Sequence, residues 1–300
     1  MAHDHHHHHH HASEELSTAN IRLAFWLNTG FAVLEIVGGL LTNSVAIMSD
    51  ALHDFGDSLS LGLSWYFHKK AKKKRDNEYS YGYRRFSLLG AFINSLILVL
   101  GSVFIVQESV ARLLNPEHAD ARGMIILAVI GIAVNTMAML RLKKGNSVNE
   151  RVVSLHFLED VLGWAVVLVG SCVMYFYDVP MLDPILSIGI SCYILFNVYK
   201  NLHSIFKIIL QGVPENSSDQ EIRDNLKGIN GVAGVHDIHA WSLDGQYNIL
   251  TLHVVVNKSS SPAEVEKIKH EVRHCLQHLK FNHITIETEP SETHCQLENC

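Results

Sequence analysis

Two histidine–aspartate pairs stand out in the apolar part of this 300-residue chain: His53 with Asp57, and His156 with Asp160. Each pair has i, i+4 spacing, which on a helix puts both side chains on one face with Cβ atoms roughly 5–6 Å apart. Both fall inside stretches apolar enough to span a bilayer. A carboxylate at the centre of a bilayer costs roughly 2.5–3.5 kcal/mol, so such residues usually face a protein interior and carry a function. Two imidazole nitrogens and two carboxylate oxygens form a four-coordinate set suited to a borderline divalent cation such as Zn²⁺. The chemistry they point to is metal binding inside a membrane. Asp50 and Asp54 share the same spacing, and Asp50 lies on the helical stripe of His53 and Asp57, so periodicity alone does not choose among these carboxylates. Asp50 is expected to cap or hydrogen-bond near a helix end, and Asp54 and Glu159 to form ion pairs or line a water-filled path.

Charge arithmetic adds a mechanism. A divalent cation held by two aspartates and two neutral imidazoles is a net-neutral centre, which suits a low-dielectric interior. Without the metal, two anionic carboxylates remain. Protonating the imidazoles, whose free pKa is about 6.5, cancels that charge. Metal and protons then compete for one site, which is the thermodynamic requirement for exchange.

The elements that must position these residues are long apolar helices. With 48% hydrophobic and 18% charged residues the chain is too oily for an ordinary soluble protein of its length. Six segments, at about 21–41, 45–67, 86–108, 122–142, 152–177 and 183–206, are each long enough to cross roughly 30 Å of hydrocarbon. The loop after the second segment holds Lys69, Lys70, Lys72, Lys73, Lys74, Arg75, Arg84 and Arg85, and the loop after the fourth holds Arg141, Lys143, Lys144 and Arg151. The opposite loops are poor in lysine and arginine. The positive-inside bias therefore puts both termini in the cytoplasm.

Beyond residue 210 the pattern becomes that of a small α/β domain. Asp219 to Leu226 reads as a helix capped by Ser218, Val232 to Leu243 and Asn248 to Val256 as strands around a Gly245 turn, Pro262 opens a second helix, and Ile284 to Thr288 closes as a third strand. The expected fold is thus an α-helical membrane protein. Six transmembrane helices are followed by a small cytoplasmic αββαβ domain of ferredoxin- or metallochaperone-like form. The expected boundaries are a His-rich tail over 1–20, a transport domain over 21–210, a regulatory and dimerisation domain over 211–290 and a Cys-containing tail over 291–300.

Several motifs resemble those of the cation diffusion facilitator family of zinc transporters. They are Ser49-Asp50-Ala51-Leu52-His53 with Asp57, Tyr81-Gly82-Tyr83-Arg84-Arg85, His156 to Asp160, Asp183-Pro184, and His236-Asp237-Ile238-His239-Ala240-Trp241-Ser242. They occur in family order from about residue 20 to 290. Ser87 departs from the pattern, standing where family members usually have Glu. The resemblance implies a homodimeric secondary transporter in a lipid bilayer, exporting Zn²⁺, with Cd²⁺ or Co²⁺ as further candidates, in exchange for protons by alternating access. It places the transport site on His53, Asp57, His156 and Asp160, and the His-Asp/His-Asp form is similar to the zinc-preferring branch. The compact loops and short tail point to a bacterial inner membrane. A loop metal site carried by some relatives is not evident; the loop offers only His68, Asp76 and Glu78.

Strand alternation places His253 opposite the apolar face of its strand, and Glu287 and Glu289 away from Ile284 and Ile286. His236 can share that surface. His236, His253 and Glu287 form a second candidate metal set, matching regulatory positions of the family, with an ordinary solvated sheet face as the alternative. His239 is assigned to the other face. Cys295 and Cys300, beside His294, are a weak candidate thiolate pair. His270, His274 and His278 form a ladder read as a solvated helix face. The run His5 to His11 will bind metal, either as a tag or as a native tail.

Other classes fit less well. No basic arm points to nucleic acid. The chain is not expected to be an enzyme: a zinc protease needs His-Glu-x-x-His, membrane di-iron oxidases need many more clustered histidines, and no Gly-rich phosphate loop supports an ATP-driven pump. A non-transporting membrane zinc sensor or dimer partner is the remaining alternative, disfavoured by the intact four-ligand set.

Overall fold

The computed structural model describes residues 8–143, 148–215 and 217–291. Two compact units are present, one made of the chain up to Tyr66 together with Gly90–Lys200, the other of Phe67–Leu89 with the chain from Asn201 onward.

Six long helices come first: α1 (His8–Thr42), α2 (Val45–Ala71), α3 (Phe86–Leu114), α4 (Ala121–Lys143), α5 (Val148–Phe176) and α6 (Leu182–Ile209). Five of them, all but α2, contain windows long and apolar enough to cross a membrane by length and composition. At 27 residues α2 is long enough, but it carries Asp50, His53, Asp54 and Asp57 and ends in Lys69 and Lys70. The least apolar helix is the one with the most chemistry on it. The first helix starts at His8, well before the expected start of span one, because neither proline nor glycine interrupts the chain between His8 and Thr29.

Reciprocal close packing holds α2 against α3. A Cβ on Gly56 would lie 2.4 Å from Leu98, and one on Gly101 would lie 2.5 Å from Leu52. Each glycine receives the leucine side chain of the facing helix, where a larger residue would clash. Trp164 of α5 is fully buried and meets Phe31 of α1 edge to face, ring centroids 5.6 Å apart.

The C-terminal unit has the expected αββαβ order: α7 (Asp219–Leu226), β1 (Val232–Ser242), β2 (Asn248–Val256), α8 (Pro262–Leu276), a 3-10 turn at Gln277–Leu279, and β3 (Phe281–Pro290). Ser218 caps α7, and Ser261 with Glu264 forms a reciprocal capping box that starts α8. The sheet order is β1-β2-β3, with β1 antiparallel and β3 parallel to the central strand. Its core joins Leu250, Leu252, Val254 and Val256 to Ile222 and Leu226 of α7 and Ile268, Val272 and Leu276 of α8.

One irregularity has consequences. His236 pairs with His253, but His239, not residue 238, pairs with Thr251, and Asp237 takes a left-handed φ of 48°. This is a β-bulge, an extra residue that shifts side-chain parity along the strand. His239 consequently shares the face of Thr251 and His253, while Ile238 and Ala240 pack on the core. Strict alternation had put His239 on the opposite face.

Candidate functional site

The second turns and beyond of α2 and the middle of α5 bring the two sequence pairs into one cluster. His156 Nε2 lies 3.1 Å from Asp57 Oδ2 and 3.7 Å from Asp160 Oδ2, and His53 Nε2 lies 3.8 Å from Asp57 Oδ2. The imidazole rings meet edge to face with centroids 6.0 Å apart. Ligand atoms of His53, His156 and Asp160 all fall within 4.8 Å of one another. His53 Nδ1 and Asp160 Oδ2 are buried and make no hydrogen bond among the described residues. Buried polar atoms without partners are costly unless something else satisfies them. A cation of zinc's size, with bonds of about 2.0–2.2 Å, suits these donors.

A cavity of about 450 Å³ adjoins the cluster, lined by Asp50, His53, Glu159 and Asp160 together with apolar residues of α5 and α6. Asp50 is therefore a wall of this cavity and not the helix-end cap expected from sequence. Glu159 lines the same space. Asp54 turns toward α1, where Asn28 donates to its backbone carbonyl and Glu35 is an electrostatic neighbour. No lysine or arginine pairs with Asp54 among the described residues, so of the two roles expected for it the ion pair is not the one seen.

Glu35 escaped sequence reasoning, and Asp183, noted there only as part of a motif, has a role that the sequence did not show. Glu35 of α1 is fully buried beside Trp164 and within electrostatic reach of Asp50, Asp54 and Asp160. Its signal was present, a lone carboxylate in an apolar window, but no partner sits near it in sequence. Asp183 opens α6 and caps α2: its carboxylate accepts from Ser44 Oγ at 2.5 Å, Val45 N at 2.8 Å and Ala46 N at 3.3 Å. A carboxylate there satisfies orphan amides and complements the helix dipole. Ser49 and Ser191 hydroxyls, 3.0 Å apart, and Ser187 on the Val45 carbonyl extend the α2–α6 contact. Together they fix the rotation of α2, and with it the face that presents His53 and Asp57.

A second cluster lies on the outer face of the C-terminal sheet. His253 Nδ1 is 2.7 Å from Glu289 Oε1, and His236 Nε2 is 3.4 Å from Glu289 Oε2. The ligand atoms of His236, His253 and Glu289 lie within 4.8 Å of one another. His253 and Glu289 are 7% and 9% exposed, so this is not an open solvated face. Glu287 reaches His253 Nε2 at 3.4 Å from a largely exposed position. The bulge re-aims Asp237, whose carboxylate lies 3.5 Å from His253 Nε2 and 2.9 Å from His239 Nε2. Glu289 is thus the carboxylate most deeply engaged with both histidines.

Cys295, Cys300, His294 and His3 to His7 lie outside the described residues. His270 and His274 on α8 and His278 in the following 3-10 turn are exposed, as expected of a solvated face.

Comparison with known proteins covers nearly the whole length of the chain. Residues 21–210 match the cation efflux transmembrane domain, and residues 214–291 match the cytoplasmic domain of cation efflux proteins. The chain is 32% identical over 298 residues to a cadmium, cobalt and zinc/H(+)-K(+) antiporter of Bacillus subtilis, covering 98% of this chain and 93% of that one. It is 30% identical over 272 residues to the metal cation efflux system protein CzcD of Cupriavidus metallidurans, covering 90% and 86%. It is 28% identical over 299 residues to the zinc transporter ZitB of Escherichia coli, covering 98% and 94%.

Proposed function

We propose that this chain, which belongs to the cation efflux family, is a secondary transporter that carries Zn²⁺ out of the cytoplasm in exchange for protons. Family membership makes it a membrane-embedded transporter for cation efflux. One observation carries it: Asp57 Oδ2 lies near the Nε2 atoms of two imidazoles from different helices, and Asp160 Oδ2 lies near the same nitrogen of His156. That arrangement offers four donors of the types zinc prefers. The relatives' names, which include zinc, cadmium and cobalt, support a divalent substrate of this kind.

In the proposed cycle His53, Asp57, His156 and Asp160 hold the metal as substrate. When it leaves, protons taken up by the cluster compensate the charge that the metal no longer balances. The cavity lined by Asp50 and Glu159 is the access route. An inward proton gradient then drives zinc outward. The lysine- and arginine-rich loops support cytoplasmic termini in a bacterial inner membrane. The proposed assembly is a homodimer joined through the C-terminal domains. There His236 and His253, with Glu289 as the main carboxylate and Glu287 or Asp237 beside it, bind zinc as a regulatory ligand.

The test is proton release on metal binding. Adding Zn²⁺ to the purified full-length protein in weak buffer should release protons in saturable proportion to the metal bound. The protein with Asp57→Ala and Asp160→Ala should lose the component of release that comes from the membrane site. Equal release from both proteins contradicts the exchange mechanism.

A further inference from the structure

The segment between α2 and α3 forms a cavity with the C-terminal sheet that the transport chemistry does not use. Its volume is about 740 Å³, and its walls include Lys72, Lys74, Arg75 and Arg84 from the segment, Gln246 from the β1–β2 turn and His283 from β3. Such a volume is that of an ordinary small-ligand site. Asp244 is the one carboxylate in the lining, and it is already engaged. Its Oδ1 accepts from Gln246 N and Tyr247 N at 2.9 and 2.7 Å, and its Oδ2 faces Arg84 at 3.6 Å. Arg84 also stacks on Tyr247, 4.3 Å from the ring centroid.

The segment is built, not slack. Lys73 Nζ lies 2.9 Å from Asp76 Oδ2 and donates to Tyr83 Oη at 2.9 Å, and Tyr83 in turn donates to Asp76 at 2.8 Å. Gly82 takes φ +74°, and a Cβ there would sit 3.0 Å from the Lys73 carbonyl, so the turn closes tightly on itself. Tyr79, Tyr83 and Phe86 pack together beneath it. Lys73 is consumed by this scaffold. Lys72, Lys74 and Arg75 make no ion pair among the described residues. A rigid turn therefore holds three like charges around a cavity whose only acid is neutralised. Like charges fixed together repel, and a polyanion removes that cost. Lysine and arginine clusters next to a membrane span are the usual form of such recognition.

We propose that this cavity binds a phosphate-bearing anion, either the headgroup of an anionic lipid or a soluble polyphosphate. Lys72, Lys74 and Arg75 supply the charge, and Arg84 and His283 act as further donors. The site is separate from the zinc cluster and does not depend on the transport reading.

Inorganic pyrophosphate is the probe, titrated calorimetrically into the full-length protein in discs of pure phosphatidylcholine. Wild type should bind it saturably and more weakly as salt rises. Lys72→Gln with Lys74→Gln and Arg75→Gln should weaken binding by about tenfold or more. Lys72→Arg with Lys74→Arg should keep it. Removing equal charge elsewhere, by Lys69→Gln, Lys143→Gln and Lys267→Gln, should change it little. Repeating the titration in discs that also contain phosphatidylglycerol distinguishes the sources. Apparent weakening there marks the site as a lipid-headgroup site, and unchanged affinity marks it as a site for a soluble anion. Absence of saturable binding to wild type, or equal loss in both charge-removal variants, overturns the proposal.

Discussion

His156 Nε2 lies closer to Asp57 of the other helix, at 3.1 Å, than to Asp160 of its own, at 3.7 Å. His53 is likewise 3.8 Å from its own-helix aspartate. The shortest link in the cluster is therefore between helices. The site depends on the relative position of α2 and α5 as much as on either pair alone, and sliding one helix along the other would open it. That is the behaviour alternating access requires, and it directs attention to the residues that hold α2 in place.

Asp183 is the first of these. Asp183→Ala removes three acceptor contacts to the start of α2, with an expected cost of about 0.5–2 kcal/mol for a lost helix cap. The purified protein should melt earlier and transport zinc more slowly, although every metal ligand remains. Asp183→Asn keeps one acceptor oxygen and should fall between the two. An unchanged melting temperature in Asp183→Ala would show that the cap does not support α2.

The turn after α2 should resist pH change near neutrality. Hydrogen bonds from Lys73 and Tyr83 hold the Asp76 carboxyl below the usual carboxylate range. A depressed carboxylate contributes stability that is complete above its unfolded value and is lost as pH falls toward the folded one. Hydrogen-exchange protection across residues 73–83, taken relative to the intrinsic rate at each pH, should therefore be flat from neutral pH down to about 4 and fall only below it, since free aspartate titrates near there. Opening of the segment around pH 6, where histidine titrates, would contradict this account.

In the C-terminal sheet, Glu289 and Glu287 make different predictions. Glu289 contacts both histidines from a buried position, whereas Glu287 contacts only His253 and is largely exposed. In full-length protein carrying Asp57→Ala and Asp160→Ala, Glu289→Ala should lower zinc bound per chain by nearly as much as His253→Ala. Glu287→Ala should chiefly weaken affinity. The reverse order would make Glu287 the main ligand.

How much was legible in the sequence follows from how local each signal is. His53 with Asp57 and His156 with Asp160 announce themselves because i, i+4 spacing on an apolar helix is a local pattern. The Ser218 cap, the Pro262 helix start and the alternation of β2 are local too, and the α/β domain followed from them. The contacts made at long range were not legible. Asp183 reads as a helix-opening residue, and nothing nearby says that it caps α2. Glu35 has no sequence neighbour to pair with. The β-bulge at Asp237 defeats strict alternation, which is why His239 was placed on the wrong face and Asp237 passed over. Between Glu287 and Glu289, period two gives the same face to both, and only burial separates them.

The central claim is that His53, Asp57, His156 and Asp160 form the zinc transport site, and stopped-flow zinc flux in proteoliposomes tests it most directly. A pH-sensitive dye on the opposite side reports the protons. Asp57→Ala and Asp160→Ala should each abolish coupled flux while the protein still folds and assembles, because each removes both a ligand and a charge that offsets the cation. His53→Asp should keep flux but discriminate less between Zn²⁺ and Cd²⁺, through an oxygen-richer site. Wild-type flux in Asp57→Ala or Asp160→Ala, with loss instead in Asp50→Ala or Asp54→Ala, would contradict the assignment.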